Sequence, residues 1–84
     1  MAIRYSDHAL QRLRERRLPR EAVMLVIANP ESTEVLDEGT WNERLRMLRR
    51  MGHLRIGVVW KWEHEDRFVM TVTVDPAGRE LRGE

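Results

Sequence analysis

A histidine and two arginines recur at intervals of four residues near the start of the chain: His8, Arg12 and Arg16. On a helix, residues four apart lie along one ridge. An imidazole exchanges a proton near neutral pH, and guanidinium groups bind phosphate through paired hydrogen bonds. This combination suits RNA cleavage without a metal, in which the imidazole moves a proton while the arginines stabilise charge on the phosphodiester.

The same ridge also fits a role without chemistry. A histidine in the first turn of a surface helix is commonly solvated or serves as a cap, and an arginine such as Arg16 often forms an ion pair on a solvated face. The spacing by itself therefore leaves both interpretations open.

Two helices are expected to carry the ridge. A cap at Ser6 or Asp7 begins the first helix, which should run to about Arg17. Pro19 suits the first turn of the second helix, and Asn29-Pro30 ends it. Because the connection is very short, the pair is predicted to form an αα-hairpin.

Four strands are predicted after the helices, at 33–37, 43–51, 54–62 and 67–75. The segment 43–51 also fits a helix, but a tight turn at Gly52-His53 favours a strand. Alternation predicts one buried face formed by Leu54, Ile56, Val58, Trp60, Trp62, Phe68, Met70, Val72 and Val74. The predicted fold is α+β, with an N-terminal αα-hairpin on one face of a four-stranded, mainly antiparallel sheet.

Length and composition favour one small domain over residues 1–84, with a core at about 4–75 and a short C-terminal extension at 76–84. The absence of cysteine excludes disulfide scaffolds and thiolate metal sites, and no cofactor or metal is expected. No apolar run is long enough to span a membrane, and no signal peptide is visible, so a cytoplasmic protein is expected.

Basic residues are concentrated in two segments although the net charge is only +1. Residues 1–20 and 44–55 are rich in arginine, whereas 21–43 contain acids and no base. The sheet face away from the helices is expected to present Arg44, Arg46, Arg55 and Lys61 as RNA-binding residues. Trp41, in a predicted turn, is expected to be exposed and available to RNA or to a partner protein.

The run Tyr5-Ser6-Asp7-His8-Ala9, with the later Arg12, Glu15-Arg16 and Asn29-Pro30, resembles domain of unknown function 4258. A closing apolar-Thr-Val strand at 69–72 fits the same pattern. That family is similar to the RelE/ParE-like and BrnT-like toxins of toxin–antitoxin systems. The resemblance implies a compact RNase fold of the barnase, EndoU, colicin and RelE type.

The resemblance also implies roles for particular residues. His8 would be the general base or acid, and Arg12 and Arg16 would hold the scissile phosphate. Thr71 would bind a phosphate oxygen or orient His8, and Tyr5 is a weaker candidate. From the residues alone, Thr71 is equally well explained as an ordinary strand threonine.

These observations predict a toxin-like, metal-independent endoribonuclease that acts on free or ribosome-bound mRNA and is restrained by an antitoxin protein. Two alternatives stay open, a non-catalytic nucleic-acid-binding module and an antitoxin-like or immunity-like interaction protein. The low net charge disfavours strong nonspecific binding to nucleic acid, which points to a localised site or to the interaction protein.

Overall fold

A computed structural model of the chain describes residues 2–76. The elements in chain order are β1 (Ile3–Tyr5), α1 (Asp7–Arg16), α2 (Arg20–Ala28), β2 (Ser32–Leu36), β3 (Arg44–Met51), β4 (Leu54–Glu63) and β5 (Asp66–Pro76). The strands form one sheet in the order β1-β5-β4-β3-β2. The β1–β5 pair is parallel and the other pairs are antiparallel.

The predicted four-stranded sheet headed by a helical hairpin is wrong. The chain begins instead with β1, which pairs with β5 from the other end of the sequence, so the sheet has five strands and is mixed. The Ser6 amide extends this pairing by donating to the Val69 carbonyl at 2.9 Å. The compact RNase arrangement predicted together with the four-stranded sheet is therefore not retained.

Both helices begin and end within two residues of their predicted bounds. Ser6 caps α1 because its hydroxyl accepts a hydrogen bond from the Ala9 amide at 3.0 Å. The same hydroxyl donates to the Met70 carbonyl at 2.8 Å, which ties the start of the helix to β5. Arg17 ends α1 in the left-handed conformation, and α2 follows after Leu18 and Pro19.

The core lies between the two helices and one face of the sheet. It consists of Ala9, Leu13, Ala22, Val23, Val26, Ile27, Ile56, Val58, Trp60, Val69 and Val72. Burying each larger apolar side chain contributes roughly 1.5–3 kcal/mol to folding. α1 packs mainly on β5, and α2 packs on β4 and β3, so the opposite face of the sheet has no helix over it within residues 2–76.

A β-bulge in β5 changes which side chains face the helices. Trp60 pairs with Val69 but Val59 pairs with Thr71, so Met70 is an extra residue on β5. The predicted inward face is correct at Val72 and wrong before the bulge, where Val69 is buried instead. As a result, Thr71 lies on the same face as Val59, away from the helices.

The remaining sequence predictions for the sheet have mixed outcomes. The ambiguous segment 43–51 is a strand, and Gly52, with φ of 66°, forms the turn after it. Trp60 is buried as expected, but Trp62 is 49% exposed and is not a core residue. Trp41 is 95% exposed, as predicted. The predicted C-terminal extension lies outside the described residues from position 77 onward.

Neither helix has the length and apolar character needed to cross a membrane; this finding covers residues 2–76.

Candidate functional site

A cleft between α1 and β5 contains both arginines of the predicted ridge. Arg12 and Arg16 line it from the helix, and Val72, Thr73, Val74 and Asp75 line it from the strand, around a volume of about 180 Å³. α1 is held here because Ala9 and Leu13 are buried against the sheet. Arginines four residues apart have Cβ atoms about 5–6 Å apart, so both guanidinium groups can reach one phosphate.

The charges around the cleft leave it net positive. Arg12 lies 3.8 Å from the Oε1 atom of Glu15, a loose contact between two exposed side chains, and Gln11 also donates to Glu15 at 3.1 Å. Such exposed pairs contribute little, so this contact does not prevent Arg12 from binding an anion. Arg16 forms no ion pair with any residue from 2 to 76. Asp75 is the one acid among the six lining residues.

His8 lies one helical turn before Arg12 and is exposed. The capping role belongs to Ser6, so His8 does not serve as the N-cap. Within the described part of the chain, no residue forms a hydrogen bond with its ring. The imidazole is therefore open to a ligand, but His8 is not one of the six described residues that line the cleft.

Thr71 does not join the ridge on the helix-covered face. Its neighbour Val72 is buried under the helices, and Thr71 pairs with Val59 on the opposite face of the sheet. Thr73 is among the residues that line the cleft, but its hydroxyl lies beside Gly57 on the same far face of the sheet as Thr71. The sequence alone does not show that residues 72–75 line this cleft, because their position beside α1 depends on how the helix packs against β5.

The predicted RNA-binding residues of the sheet lie on two strands, β3 and β4, and the charges of Arg44 and Arg46 are neutralised by carboxylates. The Nε and Nη2 atoms of Arg44 each lie 2.8 Å from Asp37, and Arg46 forms an ion pair with Glu34. Lys61 and Arg55 both lie on β4, where Arg55 pairs in register with Asp75. The acidic side chains of β2 and the loop after it thus reduce the positive charge of this face.

Tyr5, the weaker candidate, is half-buried on β1 and lies apart from the Arg12–Arg16 cleft. The Arg20 guanidinium carbon lies 5.2 Å from the centre of its ring. Burial raises the pKa of the Tyr5 hydroxyl above its usual value, although the positive charge of Arg20 opposes that shift. A phenol of this kind stays protonated at neutral pH and can donate a hydrogen bond.

Comparison with protein families gives one result that covers nearly the whole described chain. The model described as Domain of unknown function (DUF4258) matches residues 5–74. This chain belongs to the DUF4258 family. The matched range contains both helices of the DUF4258 domain, the ridge from His8 to Arg16, and most of β5. Comparison with curated proteins found no match, and comparison with solved structures found none.

Proposed function

We propose that this DUF4258 domain is a toxin-like, metal-independent endoribonuclease that holds an RNA phosphate in the cleft between α1 and β5. The observation that carries the proposal is the convergence of Arg12 and Arg16 on this cleft. Arg44 and Arg46 on the sheet are less available to RNA than Arg12 and Arg16, because each already forms an ion pair with a carboxylate.

Binding comes first in the proposed reaction. The guanidinium groups of Arg12 and Arg16 donate hydrogen bonds to the non-bridging oxygens of one phosphodiester, and such charge-assisted bonds are stronger than neutral ones. The same donors stabilise the extra negative charge that develops on those oxygens as the nucleophile attacks. Asp75 also lines the cleft, and its negative charge reduces the attraction of the cleft for an anion.

His8 supplies the proton transfer. Its imidazole accepts the proton of the ribose 2′-hydroxyl, whose oxygen bonds to phosphorus while the bond to the 5′-oxygen breaks. The products are a 2′,3′-cyclic phosphate and a 5′-hydroxyl, and water supplies the proton to the departing oxygen. Thr71 stays a prediction for this reaction, and the variant Thr71→Val tests it. An antitoxin protein that restrains the activity belongs to the same proposal.

A second candidate function, RNA binding without cleavage, is favoured by one observation. No described residue orients the His8 ring, and Thr71 lies on the other face of the sheet. The cleft between α1 and β5 would then position a phosphate through Arg12 and Arg16 without cleaving the RNA.

One comparison of variants separates the candidates. Wild type, His8→Ala and the matched control His53→Ala, whose histidine lies exposed in the β3–β4 turn, are incubated with single-stranded RNA in EDTA. We expect cleavage by wild type and by His53→Ala, and retained binding without cleavage by His8→Ala. Binding without cleavage in all three proteins supports the second candidate. Absence of any RNA binding refutes both and leaves an interaction protein.

A further inference from the structure

A second cleft opens between β1, α2 and the start of β5. Its volume is about 410 Å³, and it is lined by Ile3, Tyr5, Arg20, Met24 and Arg67. We name it the aromatic cleft, because Arg67, which lines it, also lies over the rings of Trp60 and Trp62, which border the cleft without lining it. Its volume falls within the range of small-molecule sites, and none of the described residues that line it is acidic.

Both arginines of the aromatic cleft lie against aromatic rings. The Arg67 guanidinium carbon is 4.9 Å from the ring centre of Trp62 and 5.2 Å from that of Trp60. Arg20 lies 5.2 Å from the ring centre of Tyr5. Cation–π contacts of this kind orient a guanidinium group before any ligand arrives, so less side-chain freedom is lost on binding.

Exposed apolar surface adjoins these guanidinium groups. Trp62 is 49% exposed and Met24 is 51% exposed, although Trp62 packs edge-to-face on the buried Trp60 at 5.2 Å. Trp62 is thus held in place by Trp60 and Arg67 while about half of its surface, 49%, stays exposed. A partly exposed tryptophan of this kind is a surface on which single-stranded nucleic acids stack their bases.

We propose that the aromatic cleft, together with the exposed part of Trp62 beside Arg67 at its border, binds one unpaired nucleotide of single-stranded RNA, with its base on Met24 and Trp62 and its phosphate on Arg20. This inference rests on the proposed function in that RNA is the ligand, and it adds a base-binding subsite to the phosphate site at Arg12 and Arg16. An acidic peptide would also be attracted by the arginines. The exposed part of the Trp62 indole beside oriented guanidinium groups favours a flat base with a phosphate attached.

The test compares two RNA oligonucleotides with the same number of phosphates, one of adenylates and one without bases, by fluorescence anisotropy. We expect wild type to bind the adenylate oligonucleotide about tenfold more tightly, which is the usual size of one stacking contact. Trp62→Ala should remove this difference, and the matched control Trp41→Ala, at the 95% exposed tryptophan, should retain it. Equal affinity of wild type for both oligonucleotides overturns the base subsite and leaves the arginines to phosphates or to an acidic protein.

A second measurement separates this inference from the proposed function and needs no variant. Wild type is titrated with adenosine monophosphate while the Met24 methyl and Trp62 indole signals are followed by NMR. If the protein neither binds nor cleaves RNA, the proposed function fails, but shifts of these two signals on adding the nucleotide still support a nucleotide site. Signals that do not move overturn the site regardless of what happens at Arg12 and Arg16.

Discussion

Replacing one of two similar arginines on α1 should distinguish a phosphate-binding cleft from general positive charge. Arg14 and Arg16 both lie in the last turn of the helix, are exposed, and form no ion pair within residues 2–76. Only Arg16 lines the cleft that also contains Arg12. The variants Arg16→Ala and Arg14→Ala therefore remove the same charge from nearly the same place, with and without the proposed contact.

The magnitudes follow from the contacts. Loss of a charge-assisted hydrogen bond costs about 1.5–3 kcal/mol, so Arg16→Ala should weaken RNA binding at least tenfold. Arg14→Ala loses only screened attraction, since the Debye length is about 8 Å at physiological salt, and should weaken binding by less than about threefold. Each variant should lose the same roughly 0.3–1 kcal/mol of stability, because both cations interact with the carbonyl end of the helix.

Anisotropy titrations of a labelled single-stranded RNA at several salt concentrations measure both effects. The slope of log affinity against log salt should be smaller by about 0.7 for Arg16→Ala and nearly unchanged for Arg14→Ala, since only the former loses a phosphate contact. Urea unfolding confirms that the two proteins are equally folded. Equal losses of affinity and slope in the two variants would refute the assignment of Arg16 to a defined site.

Three further predictions concern the neighbours of the cleft and the sheet that supports it. Glu15→Gln removes the carboxylate 3.8 Å from Arg12 and should tighten RNA binding by up to about threefold, with stability changed by less than about 0.5 kcal/mol; weaker binding would contradict it. A Cβ at Gly57 would lie 2.5 Å from the Thr73 hydroxyl oxygen, so Gly57→Ala should lower the free energy of unfolding by about 1–3 kcal/mol. Adding Thr73→Ala to the Gly57→Ala variant removes the hydroxyl and should recover part of the lost stability, measured by urea unfolding. Ser6→Ala should cost about 1–2 kcal/mol, because the hydroxyl both caps α1 and donates to a β5 carbonyl.

The helices were predictable because their signals are local. A capping serine, an apolar stripe and a helix-ending Asn29-Pro30 lie within the segments that they describe. The strand β1 was not predictable, because Ile3–Tyr5 has only three residues and is a strand through its parallel pairing with β5. The bulge at Met70 is likewise set by pairing with β4, and it reverses the side-chain direction that alternation predicted for Phe68 and Val69.

The candidate site was likewise predictable only where its signals are local in the sequence. Helical spacing alone placed Arg12 and Arg16 on one ridge, and the structure brings both to one cleft. The partner strand segment 72–75 could not be read from the sequence, because its position follows from tertiary packing. The ion pairs of Arg44 and Arg46 could not be predicted from the sequence either, because they depend on the register of β3 with β2 and on the loop between these strands.

The most direct test of the phosphate-binding cleft is an NMR titration of the whole domain with single-stranded RNA, following the backbone amides. The structure predicts large shifts at Arg12, at Arg16 and along 72–75, with the amides of Arg44 and Arg46 in β3 nearly unmoved. Shifts confined to β3 and its neighbours, with the amides of the cleft unchanged, would contradict the central claim.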